Sequence, residues 1–318
     1  LGDVYKRQGL AAQREKELEE KLEAYRSSLS EEQLDAMVEK TKALEAYQEA
    51  GEDPKALECI PMLKRSDIKR EAAKIINEEL TVDDSLFLYH DVCTNGIGYV
   101  DLMFKTDSIA PEQIPYLGLL KSVLGYVDTE NYTYGELFNE INANTGGINC
   151  GVEVFDRADS TEEFQAMFSV RGKALYTKMD FLFKMIGEIL NSSKLEDTKR
   201  LYEIVASVKS RAQVNLTGAG HSTAVLRAAA YSSPMAAFQD EMAGIGYYQF
   251  IEKLEKDFEQ RKEETVEELC KLMKEILRPE NFMISYTGER ESLEIVQKLA
   301  GAVKALSLIH ISEPTRLL

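Results

Sequence analysis

The sequence contains no tryptophan, only three histidines and only four cysteines among 318 residues. The cysteines are widely separated, at Cys59, Cys93, Cys150 and Cys270. None forms a C-x-x-C pair, which excludes the common zinc-ribbon and thioredoxin-like motifs. Cys93 and Cys150 could approach each other in the fold, but free buried thiols are the better interpretation. Such thiols suit a reducing compartment, and we expect a cytoplasmic location.

Basic residues are also scarce. The chain carries 38 Lys and Arg against 55 Asp and Glu, giving a net charge of −17. Neutralising phosphates requires a basic face, so no nucleic acid partner is expected. A solvated acidic surface explains the charge most simply, and steering of basic peptides is the alternative. No apolar run approaches the roughly 18 residues of a membrane helix, so no membrane partner is expected either.

Both ends of the chain look foreign to the protein. Residues 1–8 (LGDVYKRQ) and 308–318 (LIHISEPTRLL) resemble translated read-through of sequencing adapters. Segments of this kind are left out of fold reasoning. If both ends are artificial breaks, the lack of a targeting signal says almost nothing about location.

Residues 9–50 predict a helical hairpin that serves as a linker. Apolar side chains recur at helical spacing on both sides of a break at 27–30. Ser30 and Gln33 form a capping box that opens the second helix. Residues 51–82, which contain glycine, aspartate and proline near their start, are predicted to be a connector.

Residues 83–307 predict a single α+β domain. The strand-like runs cover 85–90, 97–104, 147–155, 164–170 and 282–287. Two helix-like runs begin at Pro111 and at Thr133, and Thr133 forms a capping box with Glu136. Another begins at a cap formed by Ser193 with Glu196. The remaining helix-like runs cover 173–191, 222–231, 251–277 and 291–306. This order predicts a two-layer sandwich in which strands pair as hairpins in an antiparallel-rich sheet and helices cover one face.

The strongest local hint of catalysis is the run 220–224, Gly-His-Ser-Thr-Ala, which is close to the G-x-S-x-G elbow of serine hydrolases. Ala224 replaces the second glycine, and no clear strand precedes the run. The only histidine after Ser222 is His310, inside a suspected adapter segment. A glycine turn with Ser222 as a helix N-cap is therefore the better interpretation.

The evidence for a metal-binding or nucleotide-binding motif is also weak. Neither H-E-x-x-H nor H-x-x-E-H occurs, and His90, at a strand end, is expected to be a hydrogen-bonded structural residue. The runs 96–98 and 244–246 (both Gly-Ile-Gly) lack the third glycine of a dinucleotide loop. We therefore assign no catalytic, cofactor-binding or metal-binding residue to this chain.

Several short stretches are nevertheless specific in order and spacing. They lie at 36–50 (AMVEKTKALEAYQEA), 59–68 (CIPMLKRSDI), 94–101 (TNGIGYVD), 115–117 with 124–125, 132–134 with 136–137, 144–148 (NTGGI), 220–222 (GHS) and 244–248 (GIGYY). Together they resemble the peptidase-associated region of pitrilysin/insulinase-type zinc metallopeptidases of the presequence-protease subfamily. The resemblance covers nearly everything between the two terminal segments.

The resemblance implies a part of a larger enzyme. Family members have two halves of two α+β domains each, joined by a helical hairpin and closing like a clamshell around unfolded peptides. Zinc and its H-x-x-E-H ligands, with a glutamate as general base on the metal-bound water, belong to the first domain. By this resemblance residues 9–50 are the hinge linker, and residues 83–307 the first domain of the C-terminal half.

The expected function is therefore that of a non-catalytic middle fragment of a zinc metalloendopeptidase. Its partners would be unfolded peptide substrates and the missing N-terminal and C-terminal domains. No family catalytic residue can be placed on this chain, so the fragment alone is expected to be inactive. The alternative is a non-catalytic pitrilysin-like subunit with a structural or peptide-binding role, and an upstream H-x-x-E-H discriminates between the two.

Overall fold

The computed structural model describes residues 10–51, 54–71, 74 and 76–301. Residues 1–8 and 308–318, interpreted above as adapter read-through, lie outside the described residues. The chain divides into two compact units, residues 1–74 and 75–318, and each is described by itself. None of the helices in the described part of the chain combines the length and apolar composition that crossing a bilayer requires.

The first unit is helical. Its elements are α1 (Leu10–Ser27), α2 (Glu31–Glu49), the short α3 (Pro54–Leu57) and a 3₁₀ turn at Arg65–Asp67. The capping box is confirmed: the Gln33 N–H donates to Ser30 Oγ at 3.3 Å, and the Ser30 N–H donates to Gln33 Oε1 at 3.0 Å. Several apolar side chains of the two long helices are largely exposed, and Leu22 and Leu44 are each more than half exposed.

The second unit is built on one six-stranded sheet. Its strands are β1 (Glu78–Val82), β2 (Ser85–Asp91), β3 (Ile97–Lys105), β4 (Ile148–Arg157), β5 (Ser160–Leu175) and β6 (Phe282–Gly288). Their order across the sheet is β1-β2-β6-β3-β5-β4. Among the strand pairings of the described residues, only β2–β6 is parallel, and the other four are antiparallel. The predicted antiparallel-rich α+β fold is confirmed.

One expected pairing is wrong: β2 and β3 do not form a hairpin. The late strand β6 lies between them, with Met283 opposite Leu86 on one side and Met103 on the other. Strands in a sheet are about 4.8 Å apart, so residues 92–96 need to cross only about 10 Å to pass over β6. The true hairpins are β4–β5, as predicted, and β1–β2. Strand β1 lies in the segment interpreted from sequence as a connector.

The crossing loop is held by one carboxylate. Glu289, directly after β6, accepts hydrogen bonds from the backbone N–H groups of Thr94, Asn95 and Gly96 at 3.1 to 3.4 Å, and also from the hydroxyl of Tyr176. Asn95 and Gly96 both have positive φ, which turns their N–H groups toward this acceptor. The Thr-Asn-Gly motif at 94–96 and Glu289 therefore form a structural unit over the end of β6, which we call the clasp.

We predict that this clasp weakens in acid. The hydrogen bond from Tyr176, with those from the loop backbone, lowers the pKa of Glu289 to about 2. A depressed carboxylate pKa stabilises the fold above the unfolded-state pKa of about 4.3, and that contribution is lost as the pH falls toward 2. The stability difference between wild type and Glu289→Gln, measured by urea unfolding, should therefore shrink between pH 5 and pH 2.5. A constant difference would contradict this assignment.

Helices cover one face of the sheet. They are α4 (Ile114–Val123), α5 (Tyr134–Asn144), α6 (Met179–Ser192), α7 (Thr198–Gly218), α8 (Gly220–Ala229), α9 (Pro234–Ala243), α10 (Ile245–Lys256), α11 (Phe258–Ile276) and α12 (293–301). Alternate strand residues such as Phe87, Tyr89 and Tyr286 are fully buried beneath them. The Thr133–Glu136 capping box is confirmed at the start of α5.

Several helix boundaries differ from expectation. Residues 173–175 continue β5, so α6 begins at Met179. The N-cap of α7 is Asp197, which accepts from the Arg200 N–H at 3.0 Å. Ser193, predicted to be that cap, instead donates to the carbonyl of Ile189. Helix α9 was not expected, and a break at Asp257 separates α10 from α11. The predicted last helix is described only to residue 301.

Candidate functional site: a cleft beside the free edge of the sheet

The serine-hydrolase-like run does not form a catalytic pair. Ser222 and His221 are both exposed in the first turn of α8, and among the described residues neither side chain has a hydrogen-bond partner. Successive helical residues point about 100° apart, so this histidine cannot serve its neighbour as a base. The predicted N-cap role of Ser222 is wrong, because α8 starts at Gly220 and its N-cap is Ala219.

His90 has the structural role predicted for it. Its Nδ1 lies 2.7 Å from the carbonyl oxygen of Ile76, and its Nε2 lies 3.2 Å from Ser285 Oγ. Both ring nitrogens are therefore engaged. In the described part of the chain, no three His, Cys, Asp or Glu side chains are placed to hold a metal ion. The described residues therefore do not fit a zinc site.

The cysteines offer no nucleophile beside the sheet. All four are free thiols, but the predicted burial is wrong for Cys59 and Cys93, which are exposed. Cys150 on β4 lines a cavity. Burial raises the pKa of the Cys150 thiol to about 12, so it stays protonated at neutral pH. The thiolate is the reactive and metal-binding form, which this environment disfavours.

The second Gly-Ile-Gly run wraps a buried carboxylate. Asp240, which is 1% exposed, accepts from the N–H groups of Ile245 and Gly246 at 3.0 and 3.1 Å. Arg227 donates to the same carboxylate at 2.6 Å. A Cβ on Gly244 would collide with Asp240. This motif thus joins α8, α9 and α10 and has a structural role.

The cleft with the most promising chemistry lies at one edge of the sheet. Strand β4 pairs with β5 on one side, and no other described strand pairs with its opposite side. Beside this edge is a cavity of about 580 Å³, whose other walls come from the end of α4, from α5 and from α7. A smaller cavity of about 250 Å³ continues toward α8, α9 and α10. Both are lined by Lys121, Ser122 and Arg211, and together they form what we call the edge cleft.

Two cationic side chains, those of Lys121 and Arg211, line the edge cleft. Among the described residues, neither the Lys121 nor the Arg211 side chain has an ion-pair or hydrogen-bond partner. Lys121 is half-buried, and burial lowers its pKa, partly opposed by the charge of Glu153. Glu153 itself is paired with Arg171 at 3.0 Å. Glu153 also lines the cleft, but Arg171 already holds its carboxylate, so Lys121 and Arg211 leave the cleft with net positive charge in a strongly acidic protein.

The helix-free face of the sheet holds a second, shallower concavity of about 460 Å³. Asp101 and Arg171 meet there at 2.7 Å, next to Tyr99, Lys173 and Thr287. Burial raises the pKa of Asp101, and the hydrogen bond from Arg171 opposes that shift. Arg171 donates to Asp101 Oδ2, whereas Asp101 Oδ1 is buried without a hydrogen-bond partner among the described residues. The charges of the carboxylate and the guanidinium nevertheless offset each other, so this concavity lacks the unpaired cations of the edge cleft.

Sequence reasoning missed the residues of the edge cleft. Lys121 carried a usable signal, since it is the only charged residue in the otherwise apolar helix α4. Arg211 carried none, because a basic residue on a polar helix face is normally solvated. The chemistry of the cleft suits binding, because it combines the unpaired backbone groups of the β4 edge with two cationic side chains. In the described residues it lacks a paired acid and base.

Comparison with protein families identifies a match over most of the chain. The family model described as "Peptidase M-16C associated" matches residues 7–254. Protein HypA of Clostridium perfringens is 34% identical over 294 residues, which cover 92% of this chain and 30% of that protein. Presequence protease 1, chloroplastic/mitochondrial, of Arabidopsis thaliana is 28% identical over 89% of this chain and 26% of that protein. The chain therefore spans less than a third of either relative.

Solved structures agree with the fold. The crystal structure of a conserved protein from Enterococcus faecalis V583 matches with a TM-score of 0.52 at 13% identity. The match covers 71% of this chain and 52% of that chain. At this level of identity the likeness concerns the α+β architecture alone.

Proposed function

Since the chain belongs to the peptidase M-16C associated family, we propose that it is a non-catalytic region of a zinc metalloendopeptidase that degrades unfolded peptides. The observation that supports this most directly is the extent of the match. Nearly all of the chain aligns with less than a third of relatives that include a presequence protease. The zinc site is proposed to lie in a part of the enzyme outside this chain.

The proposed contribution of the second unit is one wall of a closed chamber that admits unfolded peptides. Its sheet is covered by helices on one face and carries two concavities, the edge cleft and the one around Asp101. The first unit is proposed to be the hinge linker. The exposed apolar side chains of α1 and α2 suit helices that pack against other domains of the same enzyme. The four free cysteines are compatible with the proposed cytoplasmic location.

The test requires the complete reading frame that contains residues 10–301. We expect the complete protein to cleave an unstructured fluorogenic peptide, to lose that activity to a zinc chelator and to regain it with added Zn²⁺. A folded substrate of the same composition should resist cleavage. The 318-residue chain, assayed alone with Zn²⁺, should be inactive.

Two other outcomes would replace the proposal. A complete frame with no H-x-x-E-H and no cleavage would identify a non-catalytic, peptide-binding or structural subunit. Ester cleavage by the chain alone that is abolished by Ser222→Ala would identify a serine hydrolase. The exposed and unpaired geometry of Ser222 leads us to expect no such activity.

A further inference from the structure

We infer that the edge cleft binds an extended peptide, which adds to β4 as a further strand and places a carboxylate against Lys121 and Arg211. The inference deepens the proposed function by naming where a substrate would contact this chain. It rests on that function only for the source of the peptide, because binding can be measured on the chain by itself.

The backbone of β4 provides the first element of recognition. Alternate residues of an edge strand direct their N–H and C=O groups away from the sheet, where they template a further strand. Strand β4 is long, running from Ile148 to Arg157, and its first half lines the edge cleft. Peptide recognition by strand addition draws affinity from such main-chain hydrogen bonds, which a peptide of almost any sequence can form, and specificity from pockets for alternate side chains. That suits a protein that handles unfolded segments.

Charge provides the second element. A half-buried ammonium such as that of Lys121 is costly without a partner, and a ligand carboxylate would supply one. Arg211 lines the same two cavities and adds a donor suited to bidentate carboxylate binding. The favoured occupant is therefore an extended peptide with a carboxylate, from either an acidic side chain or the free C-terminus.

The space available fits one peptide strand. A cavity of about 580 Å³ lies within the size range of sites that hold small ligands or a few residues. Phe138 and Ile141 of α5 and Ile189 of α6 supply apolar wall opposite the polar strand edge. A strand added to β4 would place alternate side chains toward that wall and toward solvent.

The experiment is fluorescence polarisation with the full chain and labelled, unstructured ten-residue peptides. Four peptides separate the contribution of the carboxylate from that of the strand hydrogen bonds. They are acidic with an amidated C-terminus, neutral with a free C-terminus, neutral with an amidated C-terminus, and acidic with alternate backbone N-methylation. The first two distinguish the source of the carboxylate. The third removes the carboxylate, and the fourth removes the strand hydrogen bonds.

We expect the double variant Lys121→Met, Arg211→Gln to weaken binding of a carboxylate peptide by about ten-fold or more. Lys199→Met, an exposed lysine on α7, is the matched control and should leave binding unchanged. N-methylation should abolish binding. Amide exchange across residues 148–157 should slow when the peptide binds. Far-UV circular dichroism verifies that each variant is folded.

The inference is overturned if no peptide binds at millimolar concentration, or if the double variant binds as well as the control. Equal binding of the neutral amidated peptide would overturn the carboxylate assignment, and unchanged binding after N-methylation would overturn strand addition. Each of these results is independent of cleavage by the complete reading frame. Failure here and failure of the proposed function are thus distinguishable.

Discussion

Replacing Asp240 with alanine is expected to lower the free energy of unfolding by about 3 kcal/mol, since it orphans buried donors and removes a hydrogen-bonded carboxylate. The side chain is 1% exposed and accepts from two backbone N–H groups and from Arg227. Urea unfolding followed by far-UV circular dichroism measures the loss, since the chain has no tryptophan for fluorescence.

Two further variants locate the origin of that effect. Asp240→Asn retains one acceptor oxygen and should cost less than the alanine variant. Arg227→Met should cost least, because this arginine side chain is 40% exposed and the carboxylate keeps both backbone donors. A loss below about 1 kcal/mol for Asp240→Ala would mean that the carboxylate does not hold the junction together.

Gly118→Ala in α4 is expected to destabilise the protein by about 2 kcal/mol, although alanine favours a helix over glycine. A Cβ at this position would lie 2.6 Å from the backbone oxygen of Met242 and 2.8 Å from Cε2 of Tyr247. A backbone carbonyl cannot rotate aside as a flexible side chain would. The helices α4, α9 and α10 would therefore have to separate.

Gly135→Ala is the matched control for this prediction. Gly135 lies in α5, and a Cβ there meets no atom within 4 Å. The same substitution should therefore stabilise the protein by about 0.5 to 1 kcal/mol through helix propensity and reduced unfolded-state entropy. If both variants shift stability in the same direction, close packing around Gly118 is not what requires the glycine.

Local rules predicted the parts of the fold that depend on neighbouring residues. The capping boxes at Ser30 and Thr133 involve bonds that span three residues, so the sequence pattern is sufficient to find them. The same rule failed at Ser193, because that hydroxyl donates back to Ile189 while Asp197 caps the helix. Ser193 and Asp197 can both cap a helix and lie only four positions apart, so the local sequence pattern does not determine which of them is the cap.

Pairing across the sheet could not be derived in the same way. The alternation in β2, β3 and β6 predicts strands but carries no information on which strand is inserted between which. The edge cleft is beyond local pattern for the same reason. Lys121 and Arg211 are 90 positions apart, and only the packing of α4 and α7 beside β4 brings them to one cavity.

The insertion of β6 between β2 and β3 delays completion of the sheet while the chain is being synthesised. Its partner residues in β2 lie nearly 200 positions earlier in the chain, so closing this pairing is slow compared with forming a local hairpin. A ribosome adds about 5 to 20 residues per second. The facing edges of β2 and β3 therefore stay unpaired for about ten seconds or more of synthesis. During that interval they are open to pairing with other nascent chains, and chaperone capture would matter most there.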